Sequence, residues 1–176
     1  MRNPAWTADR RMRPDFPRAA GELDSGRVVF GRRSEIAAIT GRLAPLCVQA
    51  ELVALGLNEL MLNALEHGVL GIGFERKRAL IESGRWLAEI DHLEASAASL
   101  GPAGVVVLEY RRINELIRFT VRDRGAGFDW RAYMSLDPLR GDAPNGRGIA
   151  IARLLCFDAL CFRDEGREVE VLALAA

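Results

Sequence analysis

The chain has 176 residues, of which 49% are apolar, and this is enough for one domain with a sizeable buried core. Its 24 basic residues balance its 24 acidic residues, so the composition predicts neither direct nucleic-acid binding nor attraction to an anionic membrane. Lys77 is the only lysine. This argues against a P-loop ATPase, a Schiff-base enzyme and a eukaryotic-type kinase fold, because each needs a dedicated lysine.

The cysteines and histidines are too few and too scattered along the chain for a zinc site. Sparse cysteines in an odd number are typical of reduced, buried residues. No stretch of about 18 consecutive apolar residues occurs, so no transmembrane helix is predicted. Residues 1–26 lack the apolar core of a signal peptide. We therefore expect a cytoplasmic protein without a membrane partner.

The N-terminal quarter of the chain divides into an arm, a strand and a helix. Residues 1–26 contain three prolines and no hydrophobic period, which predicts a flexible arm before one folded domain over 27–176. RVVF at 27–30 predicts a short strand. Ser34 then stands at the N-cap position of an amphipathic helix that ends near Pro45.

Two helical patterns follow. The more regular one runs over 49–67, where leucines form a broad apolar face and Gly68 supplies a stop. The other runs over 75–98 as a single predicted helix. Gly101 and Pro102 break that pattern.

Beyond these helices the apolar period changes to the alternation typical of strands. Residues 104–123 predict a hairpin with its turn at 114–115, followed by a glycine-rich loop over 123–129. A polar stretch leads to a helix that begins near residue 146, and the chain ends in a hairpin turning at 165–166. This order predicts an α+β fold, with an antiparallel sheet and helices on one face.

The first candidate motif lies on the helix predicted over 49–67. Glu59 and Asn63 are four residues apart and share one helix face, and His67 continues the row. A carboxylate can accept a proton from a hydroxyl, and an amide oxygen is a hard ligand suited to Mg²⁺. The pair therefore suits chemistry beside a metal-bound phosphate. The alternative is a solvated polar stripe on an amphipathic helix.

The second motif is the loop that leaves the predicted hairpin. Asp123 ends a strand, and Gly125 and Gly127 follow it at alternate positions. A carboxylate here can accept a hydrogen bond from an exocyclic amine such as that of adenine, and glycines let the backbone approach a flat ring. The alternative is an ordinary Asp-Gly turn.

The third motif opens the last predicted helix. Gly146 and Gly148 flank Arg147, so free backbone N–H groups and a guanidinium lie at a helix start, which favours an anion. The stretch is neither a Walker loop nor a dinucleotide-binding fingerprint, because the residues those motifs require are missing. The alternative is a plain loop entering a helix.

Together and in this order, the three motifs resemble the GHKL ATPase superfamily, and more closely its branch of anti-sigma factor serine kinases. The N box of that branch, E-x-x-x-N-A-x-x-H, stands at 59–67. The G1 box, D-x-G-x-G, stands at 123–127, and the G2 box, G-x-G, at 146–148. The resemblance covers residues 27–174, and it implies the GHKL (Bergerat) ATP-binding fold, a two-layer α/β sandwich.

The resemblance implies a role for each matched residue of the first two boxes. Glu59 would be the general base on a substrate serine or threonine hydroxyl. Asn63 would hold Mg²⁺ that bridges the phosphates of ATP. Asp123 would bind the adenine amino group, and Gly125 and Gly127 would shape the adenine pocket.

The third box would close over the phosphates through Gly146, Arg147 and Gly148. With Mg²⁺ on Asn63, glycine amides and Arg147, the expected phosphate site needs no lysine.

The activity that the resemblance implies is ATP-dependent phosphorylation of a protein serine or threonine. The substrate would be an anti-sigma antagonist of the STAS type, and phosphorylation would switch partners, with a sigma factor or an equivalent regulator as the other partner. Relatives of this kind dimerise, and the sequence leaves open whether this chain forms a homodimer.

Two other functions stay open. Many relatives carry Gly-Thr before the last strand, whereas this chain has Gly166-Arg167. This difference motivates a second hypothesis, a non-catalytic anti-sigma scaffold with a weak or absent nucleotide site. A third is a hydrolytic ATPase that drives a conformational clamp, which would turn over ATP without a protein substrate.

Overall fold

The computed structural model describes residues 25–134 and 147–176. The predicted arm, apart from its last two residues, therefore lies outside the described residues, and so does Gly146. The strands are β1 (Ser25–Phe30), β2 (Val106–Ile113), β3 (Leu116–Arg122), β4 (Ala159–Arg163) and β5 (Glu168–Leu174). The helices are α1 (Arg33–Leu43), α2 (Ala50–Asn63), α3 (Phe74–Glu82), α4 (Trp86–Ala97) and α5 (Gly148–Ile151).

The five strands form one sheet in the order β1-β2-β3-β5-β4, and every neighbouring pair is antiparallel. Both predicted hairpins are present. Asn114, with φ of 56°, lies in the turn between β2 and β3, and Asp164–Gly166 connects β4 to β5. The prediction of an α+β fold with an antiparallel sheet is confirmed.

The two faces of the sheet differ in character because alternate side chains point to opposite faces. On the inner face Leu108, Phe119 and Val171 are buried, and the helices pack over them. On the outer face Arg122 forms ion pairs with Glu109 and Glu168, at 2.9 and 2.5 Å. The helices therefore cover one face, as the sequence predicted, and the other carries a ladder of partly exposed charges.

The first helix begins differently from the prediction. Ser34 was predicted as the N-cap, but α1 begins at Arg33 and Ser34 lies inside its first turn. The Glu35 carboxylate instead accepts hydrogen bonds from the backbone N–H groups of Gly31 and Arg32, at 3.0 and 2.9 Å. An acidic side chain in the first turn can satisfy donors just before the helix and complement the helix dipole.

Other element boundaries also differ from the prediction. The predicted helix over 75–98 is two helices, because Gly84 takes φ of 68° between α3 and α4. α2 continues into a π-helical turn at Ala64–Val69, and α5 continues into another at Ala152–Cys156. The predicted arm is two residues too long, since β1 begins at Ser25. Among the described helices, none combines the length and apolar character needed to cross a membrane.

Gly56 and Gly41 are both helical glycines, but they differ in what surrounds them. A Cβ added at Gly56 would lie 2.5 Å from the Phe157 ring and 2.6 Å from Cys156 Cβ, whereas at Gly41 nothing lies within 4 Å. We expect Gly41→Ala to raise the free energy of unfolding by about 0.5–1 kcal/mol through helix propensity. We expect Gly56→Ala to lower it by about 1–3 kcal/mol through overpacking. Urea denaturation measures both, and stabilisation by both substitutions would contradict the close approach of α2 to residues 156–157.

Candidate functional site

One cavity of about 620 Å³ lies at the ends of β3 and β5, between the sheet and the helices. Its wall is formed by α2 with the π-helical turn that follows it, by the loop after β3, and by the start of α5. Ligand sites in proteins commonly have volumes of roughly 300–1,000 Å³. Six of the predicted site residues line this cavity: Glu59, Asn63, Asp123, Gly127, Arg147 and Gly148.

Two predicted residues are not on the wall. Gly146 lies outside the described residues, and Gly125 lies behind the wall. The Gly125 N–H donates a hydrogen bond to Asp123 Oδ1 at 2.8 Å. A Cβ added at Gly125 would lie 2.1 Å from the carbonyl oxygen of Gly68. Gly125 therefore holds the Asp123 carboxylate and lets two backbone segments meet.

Glu59 lies on the half-buried face of α2, one turn before Asn63. Burial raises the pKa of the Glu59 carboxyl, the Lys77 ammonium lowers it, and the buried Glu66 carboxylate raises it further. A Cβ added at Gly148 would lie 2.1 Å from Glu59 Oε2. The Glu59 carboxylate therefore occupies the space beside Gly148 at the start of α5.

His67 lies in the π-helical turn and also lines the cavity, so it continues the row that the sequence predicted. Its Nδ1 is within hydrogen-bonding distance of the Ile72 carbonyl oxygen. Because a carbonyl can only accept, Nδ1 carries the proton of the neutral ring. Burial lowers the pKa of His67, which favours that neutral form.

Asp123 forms the opposite end of the cavity. A Cβ added at Gly68 would lie 2.3 Å from Asp123 Cγ, so the end of α2 lies directly against the carboxylate. Burial raises the pKa of Asp123, whereas the Gly125 N–H and the Arg167 guanidinium lower it. The backbone N–H of Asp123 donates to the Arg167 carbonyl oxygen at 3.0 Å, which fixes the loop to the start of β5.

Gly127 shapes the loop through its backbone conformation. Its φ is 75°, and a Cβ added there would lie 2.4 Å from the carbonyl oxygen of Glu165. Next to it, the Phe128 N–H donates to the same carbonyl oxygen at 3.0 Å. A side chain at 127 would be strained and would collide with this contact, so glycine is required where the loop meets the turn between β4 and β5.

Aromatic and charged residues that were not predicted as site residues also line the wall. Phe128 and Tyr133 make an edge-to-face contact with ring centroids 5.9 Å apart, and they give the cavity an aromatic side. Arg167 lies near Asp123 and forms ion pairs with Asp164 at 2.6 Å and Glu165 at 3.3 Å. Lys77 also lines the cavity, although none of the three sequence motifs includes it.

The residues present fit a nucleotide with Mg²⁺, although the structure carries no ligand. The cavity volume suits a nucleotide, and the buried Asp123 carboxylate can accept from an exocyclic amine. Within residues 25–134 and 147–176, no group of three or more His, Cys, Asp or Glu side chains could hold a metal. Mg²⁺ commonly takes one or two protein oxygens and fills its other positions with water and phosphate, so Asn63 suits a phosphate-bound ion.

The raised pKa of Glu59 has a consequence for stability. A carboxyl whose pKa is higher in the folded state stabilises the fold in its protonated form, and this stability is lost as the pH rises through the folded-state pKa. We therefore expect Glu59→Gln to increase the free energy of unfolding at pH 8, with the difference vanishing below the ordinary pKa of a glutamate. Glu51→Gln, an exposed position on the same helix, is the control and should change stability by less than about 0.5 kcal/mol. Destabilisation by Glu59→Gln at pH 8 would contradict the burial of this carboxylate.

Comparison of the sequence with models of known protein families gives no match, and comparison with the curated proteins gives no similar protein. The functional assignment therefore depends on the geometry of the cavity and on the motifs that line it.

Proposed function

We propose that this chain is an ATP-dependent protein serine/threonine kinase of the GHKL type. It acts as an anti-sigma-type regulator and phosphorylates a STAS-type antagonist to switch partners. The observation that carries the proposal is the cavity of about 620 Å³, because residues of three motifs that are distant in sequence line it. Unrelated polar residues on three separate elements would have no reason to converge on one pocket.

The two ends of the cavity suit two parts of ATP. Asp123 accepts the adenine amino group, beside the aromatic side chains of Phe128 and Tyr133. Asn63 supplies the oxygen ligand for Mg²⁺ at the other end, and Arg147 and Gly148 lie near the phosphates. Mg²⁺ supplies charge neutralisation on the phosphate oxygens when it is bound.

Glu59 is the general base of the proposed reaction. The substrate hydroxyl oxygen forms a bond to the γ-phosphorus, the bond from that phosphorus to ADP breaks, and the hydroxyl proton passes to the Glu59 carboxylate. Burial raises the pKa of Glu59 towards the working pH, which improves a carboxylate as a proton acceptor. The start of α5 lies close to this carboxylate at Gly148.

The fold supports the same proposal at a coarser level. An antiparallel five-stranded sheet with helices on one face is compatible with the two-layer α/β sandwich of GHKL domains.

A balanced net charge suits a protein whose partners are other proteins and one nucleotide. We propose a cytoplasmic location and a sigma factor or equivalent regulator as the second partner, and the oligomeric state stays open.

A non-catalytic anti-sigma scaffold is the second candidate. Arg167 lies on the cavity wall at the end where adenine would bind, and it is held there by Asp164 and Glu165. A long charged side chain at this position narrows the space for a base. The scaffold would bind its partner without phosphorylating the antagonist.

The first test is calorimetric titration of Mg-ATP into the wild type and Asp123→Asn. One Asp123 oxygen accepts from Gly125, and the other would accept from adenine. Asparagine has one acceptor oxygen, so one of these donors loses its partner. We expect a roughly 10- to 100-fold weaker affinity, and an unchanged affinity for Asp129→Asn, an exposed position in the same loop. Absence of binding to the wild type would favour the scaffold.

The second test concerns phosphorylation of the antagonist. We expect Glu59→Ala to bind Mg-ATP and to sequester its partner permanently, because the antagonist is no longer inactivated. In the wild type, the rate of phosphoserine formation should rise with pH through the raised pKa of Glu59, since only the ionised carboxylate accepts a proton. Mass spectrometry of the antagonist measures both effects. Full phosphorylation by Glu59→Ala would exclude Glu59 as the base, and steady ATP turnover without antagonist would favour a hydrolytic ATPase.

A further inference from the structure

The only lysine of the chain lies on the wall of the cavity, on the helix α3 that the sequence motifs do not include. The Lys77 side chain is 20% exposed, and its Nζ lies 2.5 Å from Glu66 Oε2. Glu66 is its only hydrogen-bond partner in the part of the chain that the structure describes. Because an ammonium group has three N–H donors, two remain for a ligand.

The single negative charge of Glu66 is shared between the positive charges of Lys77 and Arg33. The Glu66 side chain is 1% exposed, and its second oxygen lies 3.1 Å from Arg33 Nε. This second contact is an ion pair without hydrogen-bond alignment, since neither Arg33 Nε nor Glu66 Oε1 has a hydrogen-bond partner. One buried carboxylate therefore faces two cations, so Glu66 by itself does not neutralise both Lys77 and Arg33.

The Trp86 ring restricts where the Lys77 ammonium can go. Lys77 Nζ lies 5.2 Å from the ring centroid, and the Arg33 guanidinium lies 5.4 Å from it. Cations at this distance from an aromatic ring are attracted to its face. With Trp86 and Glu66 contacting it, the ammonium is positioned before any ligand arrives, which lowers the entropic cost of binding.

Lys77 also lies within electrostatic reach of Glu59, since its charge lowers the pKa of that carboxyl. The charged side chains that act on Asp123 are instead Arg167 and Asp164. Of the two carboxylates on the cavity wall, Lys77 is therefore associated with Glu59, at the end assigned to phosphate.

We propose that Lys77 is an anion-binding residue of the cavity, which contacts a phosphate group of the ligand and makes the site select phosphorylated ligands over the bare nucleoside. This rests on the proposed function for the identity of the ligand as a nucleoside triphosphate. The α3 helix thereby contributes to the site itself.

Glu66 has an opposing role in this arrangement. Its carboxylate occupies one of the three N–H donors of the ammonium and offsets its positive charge, while its other oxygen contacts Arg33. Removing the Glu66 charge should therefore strengthen anion binding through Lys77. A lysine that only stabilised the fold would give the opposite result, since loss of either partner would break the same ion pair.

The experiment is calorimetric titration of adenosine, Mg-ATP and inorganic tripolyphosphate into the full chain and four variants. We expect Lys77→Met to weaken ATP and tripolyphosphate binding by about 10- to 100-fold and to leave adenosine unchanged. Glu66→Gln should bind both anions more tightly than the wild type, and this gain should disappear in the double variant Glu66→Gln/Lys77→Met. Arg76→Met is the matched control, because Arg76 lies on the same helix, pairs with Glu89 and does not line the cavity.

The double variant keeps the test informative even if Lys77→Met does not fold. Lys77→Met leaves a buried carboxylate with one cation, whereas the double variant carries no buried carboxylate at this position. Thermal unfolding followed by circular dichroism identifies which variants are folded. If Lys77→Met unfolds, the comparison of Glu66→Gln with the double variant isolates the lysine.

The outcomes separate this inference from the proposed function. Equal ATP affinity in Lys77→Met and the wild type would overturn the role of Lys77 and leave the nucleotide site intact. Lysine-dependent binding of tripolyphosphate without ATP binding would support the anion site and overturn the ATP-dependent kinase. Absence of any anion binding to the wild type would overturn both.

Discussion

The buried carboxylate of Glu66 is the constraint on which the helical layer depends. It is 1% exposed and lies at the end of α2, where its charge is matched by Arg33 from α1 and Lys77 from α3. Removing one partner of a buried ion pair commonly costs about 3–5 kcal/mol. Trp86 of α4 contacts both cations, so four helical elements meet around one side chain. The wall of the cavity is therefore held by electrostatics and by apolar packing together.

The cavity itself exists because backbone segments approach each other closely at glycines. Gly68 lies against the Asp123 carboxylate, Gly125 against Gly68, and Gly148 against the Glu59 carboxylate. At each contact a methyl group would lie less than 3 Å from a neighbouring atom. Both carboxylates are partly buried, and burial raises the pKa of each. The packing around the cavity is thus also what shifts the pKa values of its two carboxylates.

A raised pKa at Glu59 and Asp123 has an energetic cost. A carboxylate held with a raised pKa is less stable when ionised than it is in water, and the protein carries this cost at neutral pH. The burial of apolar side chains such as Leu57, Leu60 and Phe119 stabilises the fold and offsets this cost. A site of this kind fits the general pattern in which functional groups are placed where they weaken the fold.

Local patterns in the sequence were enough to predict the strands, both hairpins and the polar face of α2. Alternation and helical spacing act over a few residues, and Asn114 and Gly166 mark turns by their backbone preferences. The prediction of Ser34 as the N-cap was wrong, because α1 begins one residue earlier and Glu35 accepts from the backbone N–H groups of Gly31 and Arg32. The break at Gly84 was also missed, since a single glycine within a helical pattern is often tolerated.

Six of the eight predicted site residues line the cavity. They could be predicted because they belong to compact motifs: Glu59 and Asn63 are close in the chain, and so are Asp123 and Gly127. The sequence by itself determined which residues were candidates for the site, since spacing within one element decides which side chains share a face. Only the tertiary structure decided that these elements meet in one cavity, and that Lys77 and Arg167 join them there. The physical reason is that contacts between distant segments depend on how whole helices pack on the sheet, and no local pattern encodes that packing.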